Sequence, residues 1–347
     1  MLAKAKKDWA GECDPRIWPA YVWRGASVFV PNGIRKCVVF LGIKKQGRFY
    51  PRATAFFASS EDQGFWFPFL VTAEHVVSAL LLKNEQIYVR VNLQKGGAEE
   101  HPIPAASWFF HPDPSQQTDV AVCWFEPLGT DMDITATPLE KPYIASEEIM
   151  DGYNIGPGDE VAIIGLFRSH YGLQKNTPVV RIGNIAAIAD EPVETTYCGF
   201  IEAHLIEARS IGGLSGSPVF LSLQQQRNIV GTPNSSVERP YYLFGLMHGH
   251  FDIKDLNMDV VTDAETEALG AINTGMGVVV PVKKIVETVN QPEVLELRRR
   301  LIAEAKSGGA TADVFDDDLP ANGENPTHRE DFMRLVGAAA RKPAPKG

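Results

Sequence analysis

Three short stretches carry side chains that could do chemistry together. "FLVTAEHVV" sets His75 at the end of an apolar strand, "QTDVAVCWF" sets Asp119 at the start of one, and "GGLSGSPVF" sets Ser215 in a glycine turn running into Pro218 and Val219. A serine hydroxyl is almost wholly protonated at neutral pH and needs an adjacent base to become a nucleophile. His75 can be that base: a neutral imidazole takes a proton on one ring nitrogen when an acceptor holds the other, and Asp119 is that acceptor. Glycine around the serine has its own reason. Backbone N–H groups that converge on a developing oxyanion require angles a Cβ resists. Gly213 and Ser215 supply those donors, and losing one such donor costs on the order of 3 kcal/mol of transition-state stabilisation.

Taken singly, each residue has a plainer reading. A strand-end histidine is commonly a satisfied polar group, and Asp before an apolar strand is ordinary turn chemistry. Asp113 is a rival acid, but it lies between Pro112 and Pro114 and leads into no strand. The chain order His, Asp, Ser gives the three their joint meaning. It also excludes the α/β-hydrolase arrangement, whose elbow is G-x-S-x-G and whose order is Ser, acid, His. Here Ser217 stands where that elbow ends in glycine, and only His248, His250 and His328 follow Ser215.

The elements that must position these residues read as strands. "RKCVVFLGI", "FYPRATAFF", "FWFPFLVTA", "QIYVRVNL", "ASWFFH" and "DVAVCWF" form a first set, rich in Val, Ile and aromatics and bounded by turn residues. "EVAIIGLF", "PVVRIGNIAAIA", "GFIEAHLIEA", "SPVFLSL", "YYLFGLMHG" and "GMGVVVPV" form a second. Two such sets with few helical patterns between them predict an all-β protein of two closed barrels or sandwiches. The expected organisation is an N-terminal extension over 1–24, a first unit with the His and Asp over 25–130, a linker over 131–158 and a second unit with the Ser over 159–282. A helix over 283–306, interrupted near Pro292, is expected to pack on the second unit. An acidic Gly/Ala/Pro-rich linker follows over 307–326, then an amphipathic tail helix over 327–341. In that tail Thr327 and Glu330 make a capping box, and Phe332, Leu335, Val336 and Ala339 share one face. It could cover a patch of its own barrel or meet a regulatory protein partner.

The 347 residues, 44% hydrophobic, are enough for more than one core. A formal net charge of -10 repels a phosphate backbone or an anionic lipid surface, so neither nucleic acid nor membrane is an expected partner. No secretory signal pattern is visible, because Asp8, Glu12, Asp14 and Arg16 interrupt every apolar run, and no run approaches the ~20 residues of a membrane span. A soluble cytoplasmic protein is expected. Cys13, Cys37, Cys123 and Cys198 have no C-x-x-C spacing, which argues against a zinc cage and a disulfide scaffold and for reduced thiols.

"TAEHVV", "TDVAV" and "GLSGSPVF", in this order and at these separations, resemble the trypsin-like (chymotrypsin-fold) serine peptidases, in particular their intracellular and bacterial branches. The likeness covers about residues 25 to 290, with lesser echoes in "RATAFFAS", "IGPGDEVAIIGLF", "FGLMHGH" and "GMGVVVPVKKI". It implies two six-stranded antiparallel Greek-key barrels. In the cleft between them His75 would be base, Asp119 orienter and Ser215 nucleophile, with the Gly213 and Ser215 amides as oxyanion hole, and a protein or peptide would be the substrate. Departures are visible. The cysteines of the secreted branch are missing, and so is an Ile-Val-Gly-Gly start. Glu74 replaces a small residue before the histidine and is expected to face solvent or a local partner; Leu214 replaces the usual Asp or Asn before the serine.

The resemblance also implies that the segment before the serine and the strand with "GLMHGH" line the pocket for the side chain preceding the scissile bond. Arg209, His248 and His250 would then favour Asp or Glu through charge-assisted hydrogen bonds; the alternative is that they face solvent or scaffold the loop. No cofactor is expected, and no metal: His248 and His250 share a strand face, but no third ligand is in view and no H-E-x-x-H occurs. Two other functions stand beside a peptidase: a catalytically silent binding or scaffold module of the same fold, and a peptidase held inactive until a partner or a cleavage reshapes its loops.

Overall fold

A computed structural model describes residues 30–113, 117–125, 131–195, 198–208, 213–223, 240–252 and 273–306. The N-terminal extension, Arg209, the acidic linker and the tail helix predicted above lie outside these residues. The described chain is all-β with helices at its C-terminal end.

The first half is an eight-stranded sheet: β1 (Val38–Lys45), β2 (Arg48–Asp62), β3 (Phe65–Thr72), β4 (Ile87–Asn92), β5 (Ala98–Ile103), β6 (Trp108–Phe110), β7 (Ala121–Trp124) and β8 (Thr137–Pro138). Its order is β5-β4-β1-β2-β3-β7-β6, with β8 joined in parallel to β2. The second half closes into the barrel β10-β13-β16-β15-β14-β9, built from β9 (Glu160–Gly165), β10 (Val179–Ala187), β13 (His204–Glu207), β14 (Pro218–Ser222), β15 (Tyr241–Asp252) and β16 (Asn273–Pro281). A separate hairpin, β11 (Val193–Thr195) with β12 (Gly199–Ile201), precedes β13.

The strands read as near-continuous apolar runs because both faces are buried. Alternate residues part to opposite sides: Val39, Leu41, Phe57, Leu70 and Cys123 fill the first half's own core, while Phe40, Phe56, Phe69, Val71 and Val122 join a second cluster. The barrel does the same. Val161, Ile163, Val219 and Phe244 point inward, whereas Ile164, Phe220 and Val280 meet that second cluster, which therefore runs between the two halves.

Short helix α1 (Asn32–Arg35) precedes β1, α2 (Glu74–Leu81) and α3 (Glu147–Gly152) sit between strands, and α4 (Val282–Val289) and α5 (Pro292–Lys306) follow β16. The break between α4 and α5 falls just before Pro292, whose ring cannot continue a helix from the preceding turn. These helices do not pack on the second half alone. α4 touches β7 as well as β15 and β16, His111 and Glu287 pair at 2.8 Å, and Gln291 donates to Phe110 O at 3.1 Å. Arg298 of α5 lies over the rings of Phe67 and Phe69, at 5.8 and 5.1 Å.

Two polar joints lock the halves. Arg90 of β4, 4% exposed, donates to Gly172 O, Leu173 O and Asn176 Oδ1, while Asn176 returns bonds to Arg90 O and Asn92 Oδ1. The loop between β9 and β10 is thereby clasped to the first sheet. The second joint is Thr54 of β2. Its hydroxyl donates to Gly213 O at 2.9 Å and accepts from Leu166 N–H at 2.9 Å, and its own N–H donates to Ser215 O at 3.1 Å.

His204 opens β13 with its ring stacked on Phe244 at 4.3 Å and its Nδ1 accepting Ala189 N–H at 3.0 Å. Burial lowers its pKa to about 4. The unfolded chain takes up that proton near the ordinary histidine value of 6.5, the folded chain near 4. Stability is therefore full above 6.5 and is lost as pH falls through this window, by about 3 kcal/mol for this group. Urea titrations at pH 7 and pH 4.5 should show His204→Asn losing less stability on acidification than the wild type.

Candidate functional site

β3 ends at Thr72, and α2 begins two residues later, so His75 sits in the first turn of a helix rather than on the strand itself. That turn aims two groups of one residue at one carboxylate. His75 N–H donates to Asp119 Oδ1 and its Nδ1 to Asp119 Oδ2, each at 2.8 Å. Asp119 lies in the extended stretch ahead of β7 and is wholly buried. Burial would raise its pKa, but the charges of His75 and His248 and the hydrogen bonds from both rings outweigh it and hold the carboxyl well below the usual range. Burial pulls His75 the other way, toward neutrality. Asp119, by charge and hydrogen bond, and then Glu74 more than offset that and raise it above 6.5.

Ser215 stands in a turn closed by Ser217 N–H to Leu214 O at 2.8 Å, with Gly216 at φ +80° in the position that needs a left-handed residue. Gly213 is also left-handed, at +109°. Among the described residues no backbone carbonyl accepts from the Gly213 or Ser215 amide, whereas Gly216 N–H is taken by Met247 O at 2.8 Å. Those two N–H groups are the pair an oxyanion would need. The turn is pressed against the histidine segment: a Cβ on Gly216 would stand 2.2 Å from Thr54 O, 2.3 Å from Thr72 Oγ1 and 3.2 Å from Ala73 N. Thus the Ser215 turn touches the residue two places before His75.

The structure bonds His75 to Asp119 and packs the Ser215 turn against Thr54, Thr72 and Ala73, just ahead of His75. It sets His248 against the same acid. On β15, 4% exposed, His248 bonds through Nδ1 to Asp119 Oδ2, and its ring meets that of His75 edge-on at 5.2 Å. His250, two residues on, is half-buried, and Arg209 lies outside the described residues. Asp113 takes no part in the cluster; its N–H donates to His111 Nδ1 at 3.3 Å.

Glu74 does not face open water. Burial first, and repulsion from Asp119 second, raise its pKa to about 7, so near neutrality it is half-charged beside His75. Cys198, ahead of β12, lies near Asp119 and Glu74, and burial with their repulsion pushes its thiol far up, which marks it as an inert thiol.

His75, Asp119 and His248 also form a group whose ligand atoms lie within 4.8 Å of one another, the donor types a zinc ion takes. Donors on one tetrahedral zinc stand roughly 3.3 Å apart, given bond lengths of ~2.0–2.1 Å. The 2.8 Å between His75 Nδ1 and Asp119 Oδ2 is a hydrogen-bond separation. The cluster is built as a hydrogen-bonded one.

No protein-family model and no curated protein matches the chain. Solved structures do. The protease domain of MamO from Magnetospirillum magneticum is similar over 75% of this chain and 99% of its own, at 16% identity and a TM-score of 0.47. Deg5 is similar over 74% and 88%, at 15% identity and 0.42. Rv3671c from M. tuberculosis H37Rv, a protease solved in an inactive form, is similar over 74% and 88%, at 14% identity and 0.37. All three likenesses are distant. No helix among the described residues is long and apolar enough to cross a membrane.

Proposed function

We propose that this chain is a trypsin-like serine endopeptidase that hydrolyses peptide bonds of protein substrates through an acyl-enzyme. The observation that carries the reading is the His75–Asp119 pair, doubly bonded and set against a left-handed turn that presents Ser215. Ser215 Oγ attacks the scissile carbonyl carbon while His75 Nε2 takes its proton. The oxyanion settles on the Gly213 and Ser215 amides, and the imidazolium is balanced by Asp119. His75 then gives the proton to the leaving amine as the C–N bond breaks. Water, deprotonated by the same nitrogen, hydrolyses the ester and returns the serine.

Asp119 holds His75 at Nδ1, so Nε2 is the nitrogen that would act as base. That is the tautomer general-base catalysis requires, and a scaffold module has no need of it. The preference for Asp or Glu before the cleaved bond, carried by Arg209 and His250, and a partner at the tail belong to the same proposal. The direct test is chemical. A fluorophosphonate probe incubated with the folded protein should label it once, and peptide mass mapping should place the adduct on Ser215. An unlabelled protein, or an adduct on another residue, defeats the reading.

A further inference from the structure

Asp119 holds one imidazole more than a three-residue mechanism uses. Its two oxygens take three donors: His75 N–H on Oδ1, and the Nδ1 groups of His75 and His248 together on Oδ2. A carboxylate with its pKa far depressed is an acceptor only, so both Nδ1 atoms carry hydrogen. His248 reaches the acid from the strand that also holds the nucleophile's turn. Its neighbour Met247 accepts Gly216 N–H and donates to Ser217 O, both at 2.8 Å. Residues 247 and 248 of β15 therefore tie Ser215 and Asp119 to one short piece of backbone.

We propose that His248 is a positioning residue of this site, acting through Asp119: its Nδ1–H fixes the rotation of the buried carboxylate and draws off part of its charge, setting how strongly Asp119 holds His75. The catalytic consequence rests on the peptidase reading above; the hydrogen bond does not. The titratable groups facing Asp119 are Glu74 and His75 from α2, Cys198 from ahead of β12 and His248 from β15. Substituting His248 leaves the other three in place. With one donor removed, Asp119 becomes the stronger partner of an imidazolium at His75. That histidine keeps its proton to higher pH, and the acidic limb of kcat/KM moves up.

The experiment compares His248→Leu, His248→Gln and His248→Asn in the full chain. An asparagine amide falls near the position of Nδ1, a glutamine amide nearer Nε2. His248→Leu should lower kcat about tenfold while KM stays within about twofold, and should shift the acidic limb upward by several tenths of a pH unit. His248→Asn should restore both, and His248→Gln should not. Equal limbs and equal kcat in wild type and His248→Leu overturn the proposal, as does an Asn variant no better than the Gln variant. Should the Leu variant fail to fold, the Asn and Gln pair decides alone. A second readout needs no turnover. Resting protein with 15N-labelled histidine should show two Nδ1–H protons bonded to carboxylate, one of them lost in His248→Gln. A single such proton in the wild type overturns the proposal even in a fully active peptidase. Two protons in a protein that no fluorophosphonate labels would defeat the peptidase reading and leave the His248 bond standing.

Discussion

Ser215→Ala should fold as the wild type does and lose peptide hydrolysis by about six orders of magnitude, together with all fluorophosphonate labelling. The expected loss is large because base, acid and nucleophile act as a unit. Without Oγ, His75 has no proton to take and the acyl-enzyme cannot form. Folding should survive because the turn is held by its backbone and not by the hydroxyl. Ser215 O still accepts Thr54 N–H, Gly216 N–H still meets Met247 O, and Ser217 N–H still closes on Leu214 O. Far-ultraviolet circular dichroism and urea midpoints, compared with turnover of an unstructured protein substrate, check both halves of the expectation. Labelling that persists in the variant would mean that another residue is the nucleophile.

Gly216→Ala should be the most damaging change that touches no reacting atom. At φ +80° an alanine costs about 1 kcal/mol for its dihedral alone. Its Cβ would also stand 2.2 Å from Thr54 O, a backbone atom within β2, and 2.3 Å from Thr72 Oγ1, which is itself donating to that same carbonyl. Neither can retreat without opening the joint between the halves, so a destabilisation of about 3 kcal/mol or more is expected, in the range of serious core overpacking. What remains folded should turn over at least about a hundredfold slower, the cost of moving a reacting group by roughly 1 Å. Gly64→Ala separates the two causes. It has nearly the same φ, +81°, with nothing within 4 Å of the added carbon, and should cost only the dihedral term. Equal urea midpoints for the two variants would show that the contact with Thr54 does not matter.

Much of this protein was open to reading in its sequence, for a physical reason. Strands buried on both faces are written as near-continuous apolar runs; β3, β7, β9 and β14 fall inside such runs, and the buried parts of β1 and β2 do too. β5 escaped because it is a sheet-edge strand paired only to β4, half exposed and written "AEEHPI". The order of His75, Asp119 and Ser215 was legible because each stands at an element boundary with a short, specific neighbourhood. His248 was not. A lone histidine in a strand does not announce whether it faces a substrate pocket or a buried acid, and the distinction came from a carboxylate 129 residues earlier. Thr54 was equally silent, an ordinary threonine in an alternating strand whose partners are the carbonyl of Gly213 and the amide of Leu166. Glu74, expected to face solvent or a local partner, is lifted to a pKa of about 7 by burial first and by repulsion from the buried Asp119 second.

Thr54 has a wider consequence. The sheet from which His75 and Asp119 come also grips the strip of chain that carries Ser215, so on the peptidase reading competence would be a property of the assembled pair of halves and of neither alone. Thermal breathing that parts them would carry Ser215 and the Gly213 and Ser215 amides away from His75 in the same event. A partly opened molecule is then self-silencing, and on the peptidase reading a damaged or half-folded copy cannot cut its surroundings.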